Sequence, residues 1–161
     1  QDDFRRMLAY SSVAQIGYIG VGLAIGSFYG LIGAVLHIIN HAFMKGSLFM
    51  VIGGVRYRFG EVSISKLGQI GKKMPFTVFT LVVAALAMIG IPPTGGFFSK
   101  WYIMLGAMQT EQYIYVAVLV ISSLLNAVYF FRVLENVFIN PDPGLKELNP
   151  PTGKLELRCR C

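Results

Sequence analysis

Four long apolar stretches organise the chain, and none of them alternates with the period of two that marks a strand. The first runs from about Met7 to Ile25, directly after Arg5-Arg6, and the second from about Phe28 to Val55. The third starts at Pro75 and continues to about Met108, interrupted by Pro92-Pro93 and Gly95-Gly96. The fourth covers about Tyr113 to Phe131. Each approaches or exceeds the ~20 residues a helix needs to cross a bilayer. The pattern therefore predicts an all-α, polytopic membrane protein with about four transmembrane helices.

The third stretch is the unusual one. Its part after the interruption, Phe97 to Met108, has about twelve residues, too few to cross alone. It is expected to be one discontinuous span, two half-helices joined by Ile91-Pro92-Pro93-Thr94-Gly95-Gly96. Proline lacks a backbone donor and stops the helix before it. Irregular backbone at membrane depth is tolerated only where protein or a water-filled cavity surrounds it, so the break points to a transport path. Residues 1–139 are expected to form the helical bundle, and residues 140–161, rich in Pro, Gly and charge, a polar disordered tail.

Composition agrees with the pattern. The chain has 161 residues, of which 55% are hydrophobic and 14% charged, with a mean hydropathy of +0.61. Soluble domains carry roughly 25% charged residues. A disordered chain is excluded, and so is a disulfide scaffold, since the only cysteines, Cys159 and Cys161, are separated by a single residue. A chain opening on Gln1-Asp2-Asp3, without Met and without a signal peptide, is expected to be a processed protein or a fragment.

The net charge of +6 has a definite distribution. With four spans, the N-terminus, the second connection and the tail share one side. That side receives Arg5, Arg6, Arg56, Arg58, Lys66, Lys72, Lys73, Arg132, Lys146, Lys154, Arg158 and Arg160, twelve of the fourteen basic residues. The other side carries only Glu111. Basic loops stay cytoplasmic, so the loops and both termini are expected on the cytoplasmic face, most simply of a prokaryotic plasma membrane. Aromatic residues lie in the apolar spans rather than among basic ones, so nucleic-acid binding is not expected. The lipid bilayer is the expected surrounding.

Two basic residues lie off that rim, Lys45 and Lys100. His37, His41 and Lys45 are spaced four apart, which places them on one slanted stripe of a helix, about 12 Å long. A lysine at mid-membrane costs about 2.5–3.5 kcal/mol on insertion scales. Water must reach it, or an acid must pair with it, or it must stand uncharged. No Asp or Glu falls within the four spans, so an acidic partner would come from outside this chain. Histidine carries protons near neutral pH, and a His–His–Lys stripe has the parts of a proton relay. Structural hydrogen bonding is the alternative. A metal site lacks a third ligand nearby, so no metal is expected. Two histidines on one face of one helix do not suit a haem. Lys100 is placed in the first turn of the second half-helix, where the positive end of the dipole disfavours another cation. It is expected to be functional, giving up a proton readily there, with snorkelling to the interface as the alternative.

Weaker polar signals accompany these. Ser12 and Gln15, with Tyr10 and Ser11, line up on the first span; Asn40 lies within the stripe; Ser99 precedes Lys100; Ser123 and Asn126, with Ser122, mark the fourth span. They could line a hydrated channel or glue helices together. Gly22, Gly26 and Gly30, four apart, suggest close helix packing. The chain carries no phosphate-binding glycine loop, Cys-x-x-Cys or dinucleotide fingerprint.

Three motifs bring a resemblance. Arg5-Arg6-Met7-Leu8-Ala9-Tyr10-Ser11-Ser12-Val13-Ala14-Gln15-Ile16-Gly17-Tyr18 resembles a hallmark of the antiporter-like membrane subunits of complex I (NADH:quinone oxidoreductase), Mrp-type cation/proton antiporters and membrane-bound hydrogenases. His37 to Lys45, with Gly46-Ser47-Leu48-Phe49, resembles that family's His-x-x-x-His-x-x-x-Lys helix. Ile91 to Lys100 resembles its broken helix. The resemblance covers about Asp2 to Pro141 and implies most of the second of two inverted five-helix repeats. It implies a relay of His37, His41, Lys45 and Lys100, with Lys100 the terminal residue. It implies a proton-translocating subunit with no redox or hydrolytic site and no cofactor of its own, working as part of a translocase or antiporter. Its partners would be other membrane subunits, and its cargo protons, with a monovalent cation where the assembly exchanges one. The alternative is a truncated structural subunit without a complete proton path. Pro92-Pro93-Thr94-Gly95-Gly96 looks slightly closer to the Mrp and hydrogenase relatives.

Overall fold

The structure, a computed structural model, describes residues 4–59 and 74–138. Among these residues the regular structure is all helical: α1 (Phe4–Ala24), α2 (Phe28–Phe59), α3 (Pro75–Ile89), α4 (Gly95–Gln109) and α5 (Tyr113–Phe138). Three of them, α1, α2 and α5, are long and apolar enough to cross a membrane, while α3 is apolar but shorter. The chain breaks between Ile89 and Gly95, where the Pro-Pro-Thr-Gly-Gly run falls. The expected tail and the connection carrying Lys66, Lys72 and Lys73 lie outside the described residues.

Two helices run past their apolar stretches. α2 continues to Phe59 rather than ending near Val55, and α5 reaches Phe138 rather than Phe131. Apolarity reports burial, whereas the hydrogen-bond ladder continues for as long as nothing breaks it. The 32 residues of α2 make about 48 Å of helix, against a hydrocarbon thickness of about 30 Å. The surplus end carries the exposed Arg56 and Arg58.

Local signals account for the boundaries. The Ser27 hydroxyl accepts the Gly30 N–H at 3.0 Å and caps α2. Gly26 takes a left-handed turn (φ 67°) between α1 and α2. The three spaced glycines therefore share no single helix. Gly22 on α1 and Gly30 on α2 face each other across this turn, and a Cβ on Gly30 would stand 2.7 Å from the Gly22 carbonyl. Pro75 opens α3, where its missing N–H is no loss.

α2 is the central helix and packs against α1, α3 and α4, while α5 closes the bundle against α3 and α4. Leu8, Met44, Leu48, Val51, Leu81, Ala85, Met88, Phe130 and Val133 belong to one apolar cluster. Tyr18, Ile25, Ile103, Ala107 and Leu119 form a second. The buried polar residues Gln15, His37, Lys45, Ser99, Lys100 and Asn126 lie on α1, α2, α4 and α5. The outward faces are apolar, with Phe28, Phe43, Met50, Phe76, Ile114 and Leu124 exposed. Such surfaces suit lipid or further helices rather than water.

Candidate functional site

The break between α3 and α4 is built from backbone needs. The last carbonyls of a helix have no intrahelical partner. Gly90, at φ 90°, ends α3 in the left-handed conformation, and the N–H groups of Gly90 and Ile91 both turn onto the Leu86 carbonyl (3.0 and 3.3 Å). Thr94 turns back onto the Ile91 carbonyl through its N–H and its hydroxyl. α4 then starts at Gly95, with Gly96 pressed so closely on Ala87 that no Cβ fits there.

Lys100 completes this arrangement. Its ammonium donates to the carbonyls of Met88 and Ile89, each at 3.0 Å. Side chains on a helix lean toward its N-terminus, which carries Lys100 back to the break. Lys100 is the sixth residue of α4, in the second turn rather than the first. Its charge is therefore set against the negative end of the α3 dipole, not the positive end of α4, because α4 resumes at the glycine pair. Snorkelling is excluded by burial, since Lys100 is 5% exposed.

The His stripe lies on α2 as spaced. The His37 and His41 rings stack, 6.4 Å between centroids and 3° between planes. His37 is fully buried between α1 and α4: Nε2 lies 3.0 Å from Gln15 Oε1 and Nδ1 2.8 Å from Ser99 Oγ. Ser99 also reaches the Gly96 carbonyl at 3.1 Å. These partners permit two states. In neutral His37, Nε2–H donates to Gln15 and Nδ1 accepts the Ser99 hydroxyl proton. When His37 holds a second proton, Nδ1–H donates to Ser99, whose hydroxyl turns to Gly96. One rotating hydroxyl thus lets the site take up or release a proton with the heavy atoms fixed.

Lys45 is buried at the other end of the stripe and donates to the Leu8 carbonyl and the Ser11 hydroxyl. The described carboxylates, Glu111 and Glu135, are both exposed, so neither pairs with a buried lysine. Both lysines are held by neutral oxygens. His41 is half-buried, and its Nε2 has no partner among the described residues.

The remaining expected residues divide. Gln15 and Ser99 meet His37 directly. Asn40 instead braces the break, donating to the Gly95 carbonyl at 2.9 Å. Ser12 bonds only its own helix, at Leu8. Asn126 and Ser123 meet around the Tyr18 hydroxyl, at 3.2 and 3.5 Å. Pro92, Pro93 and Gly95 are exposed at the break, and Gly96 is buried. Two residues were not anticipated at the site. Ser11, expected only as one of a polar row, is the hydroxyl that meets Lys45. Tyr18 stands between His37, edge-on at 5.5 Å, and Lys100, whose Nζ lies 5.1 Å above its ring. The signal for both was present, because Ser11, Gln15, Tyr18 and Gly22 share one face of α1 at helical spacing.

Comparison with known proteins bears on this geometry. The profile of the NADH:quinone oxidoreductase/Mrp antiporter transmembrane family matches residues 1–126. The chain belongs to this family. It is 53% identical to NADH-quinone oxidoreductase subunit N of Desulforudis audaxviator, over 161 residues, 98% of this chain and 32% of that protein. It is 32% identical to an Na(+)/H(+) antiporter protein of Alkalihalophilus pseudofirmus, over 98% of this chain and 32% of the relative. A solved archaeal respiratory membrane complex, the membrane-bound sulfane sulfur reductase, contains a chain that superposes with a TM-score of 0.82 at 33% identity, over 94% of this chain and 31% of that one. The chain thus spans about a third of the length of the relatives it matches. The expected lean toward Mrp-type relatives is not seen in the identities, which stand higher for the quinone oxidoreductase relative than for the antiporter relative.

Proposed function

We propose that this chain is the His/Lys portion of a proton-translocating, antiporter-like subunit of a complex I-like, Mrp-type or membrane hydrogenase assembly. Protons move along Lys45, His41, His37 and Lys100. The observation that carries this is the buried row itself. Buried Lys45, His37 and Lys100 are contacted by neutral oxygens, half-buried His41 stacks on His37 between them, and both described carboxylates are exposed. Charge is costly at that depth, so an intramembrane set of this kind points to a functional rather than a packing role. Like charges in a row repel, and a proton entering at one end drives departure at the other.

The family match and the relatives' names support the proton as cargo and other membrane subunits as partners. The remaining helices of relatives three times as long complete the path. The basic loops and both termini face the cytoplasm of a prokaryotic plasma membrane, as the placement of Arg5, Arg6, Arg56, Arg58 and Arg132 supports. The test is Lys100→Met in the full-length protein, in its assembly, reconstituted into vesicles. Proton translocation measured with a pH-sensitive dye is expected to be lost while the assembly stays intact. Normal translocation would remove Lys100 from the path and favour a purely structural role.

A further inference from the structure

Tyr18 is 3% exposed and touches three helices. Its hydroxyl donates to Ser122 Oγ at 2.8 Å and accepts from Asn126 Nδ2 at 3.2 Å, both on α5. With these bonds the ring is fixed in place from the α5 side. Its face is turned to Lys100, with Nζ 5.1 Å from the centroid, within the range in which a ring attracts an ammonium.

Among the described residues, the contacts of Lys100 Nζ are of one kind. The Met88 and Ile89 carbonyls accept, and the ring presents its negative face. An ammonium, with three donors and no acceptor, fits such a socket. A neutral amine fits less well, because its two N–H groups can serve the two carbonyls but its lone pair is then left toward the negative face of the ring. Lys45 differs. It meets the Ser11 hydroxyl, which can turn from accepting to donating and so serves either state.

We propose that Tyr18 is a positioning residue, the aromatic wall of an acceptor-only socket that holds Lys100 as the ammonium against the end of α3. Loss of the proton removes the attraction, and the side chain leaves the socket. The inference rests on Lys100 carrying a transported proton. It adds that α5, which contributes no His or Lys to the row, acts on it through the orientation of one ring. The titratable groups facing Lys100 are Tyr18 on α1 and His37 on α2. α3 offers only carbonyls, and residues 116–128 of α5 contain no titratable side chain.

The test weakens the ring's negative face without changing its shape. In the full-length protein within its assembly, position 18 is replaced by phenylalanine and then by mono-, di- and trifluorophenylalanine. Proton translocation at neutral pH is expected to fall stepwise along this series, by about tenfold from Phe to the trifluoro ring. Tyr18→Leu is expected to match the trifluoro ring. Tyr18→Phe keeps the ring face but loses the Ser122 and Asn126 bonds that orient it, so it should translocate measurably below the parent and serves as the reference for the fluorinated series. A ring that only fills space would give equal rates across the series, and equal rates would overturn the inference. If Lys100→Met translocates normally, the relay itself fails. If Lys100→Met is inactive and the fluorinated series is flat, only the role of Tyr18 fails.

Discussion

Gly95 and Gly96 are adjacent, chemically identical and both at the start of α4, yet they should respond oppositely to the same substitution. A Cβ on Gly96 would lie 2.0 Å from the Ala87 carbonyl oxygen, where ordinary contact begins at 3.4 Å, so α4 would have to move off α3 by roughly 1.4 Å. The obstacle is backbone in the last turn of a helix and cannot swing aside. Overpacking of this kind costs about 1–3 kcal/mol and occasionally more, and a backbone clash belongs at the upper end. Any such movement also carries Lys100 away from the Met88 and Ile89 carbonyls it reaches at 3.0 Å. The atoms nearest a Cβ on Gly95 belong to the Asn40 amide, at 2.6 Å from Oδ1, the far end of a flexible side chain. Moving it loses one hydrogen bond, about 1 kcal/mol, partly offset by about 0.4–1 kcal/mol because alanine leaves the unfolded chain less entropy to lose than glycine does. Gly96→Ala is thus expected to lower the melting temperature and the amount of assembled full-length protein, and to reduce proton translocation. Gly95→Ala should behave nearly as the parent. Membrane yield, thermal melting in detergent and dye-based translocation measure both. Equal outcomes for the two variants, or a Gly96→Ala protein that melts and pumps like the parent, would refute the close approach at Ala87.

Three further substitutions separate stability from transport. Lys45→Met should leave melting unchanged or raise it, because a buried charge is removed and the Leu8 carbonyl keeps the Ser11 and Ser12 hydroxyls, while proton translocation is lost. Gln15→Leu should cost about 1–3 kcal/mol and slow translocation, because His37 Nε2 is left buried without its partner; chemical denaturation and the dye assay report the two effects. Asn40→Ala should cost no more than about 1.5 kcal/mol and leave translocation near the parent rate, since Asn40 braces the Gly95 carbonyl rather than touching the row. A strong transport defect with normal melting would return Asn40 to the path.

The length of the apolar stretches, the Pro/Gly interruption and the few intramembrane charges make the helices, the break and the His–Lys stripe readable, because each is a feature of one element along the chain. What spacing does not carry is the partner across an interface. Ser12 and Gln15 looked alike on α1, but only Gln15 meets His37, because Ser12 turns its hydroxyl back to Leu8. Lys100 was placed by its own helix, where a cation is disfavoured. Its charge is instead answered by the preceding one, whose end carbonyls come within reach because Gly90 turns the chain and Gly96 admits α4 against Ala87. The two glycines and the lysine therefore form one device. The break does more than interrupt a helix. It frees two carbonyls at the depth of a buried lysine and supplies a counter-dipole where the described helices provide no acid. For that reason a substitution that only restores helical continuity across residues 90–96 should be as damaging to transport as loss of Lys100 itself. The ammonium would keep its depth and lose the two carbonyls that hold it.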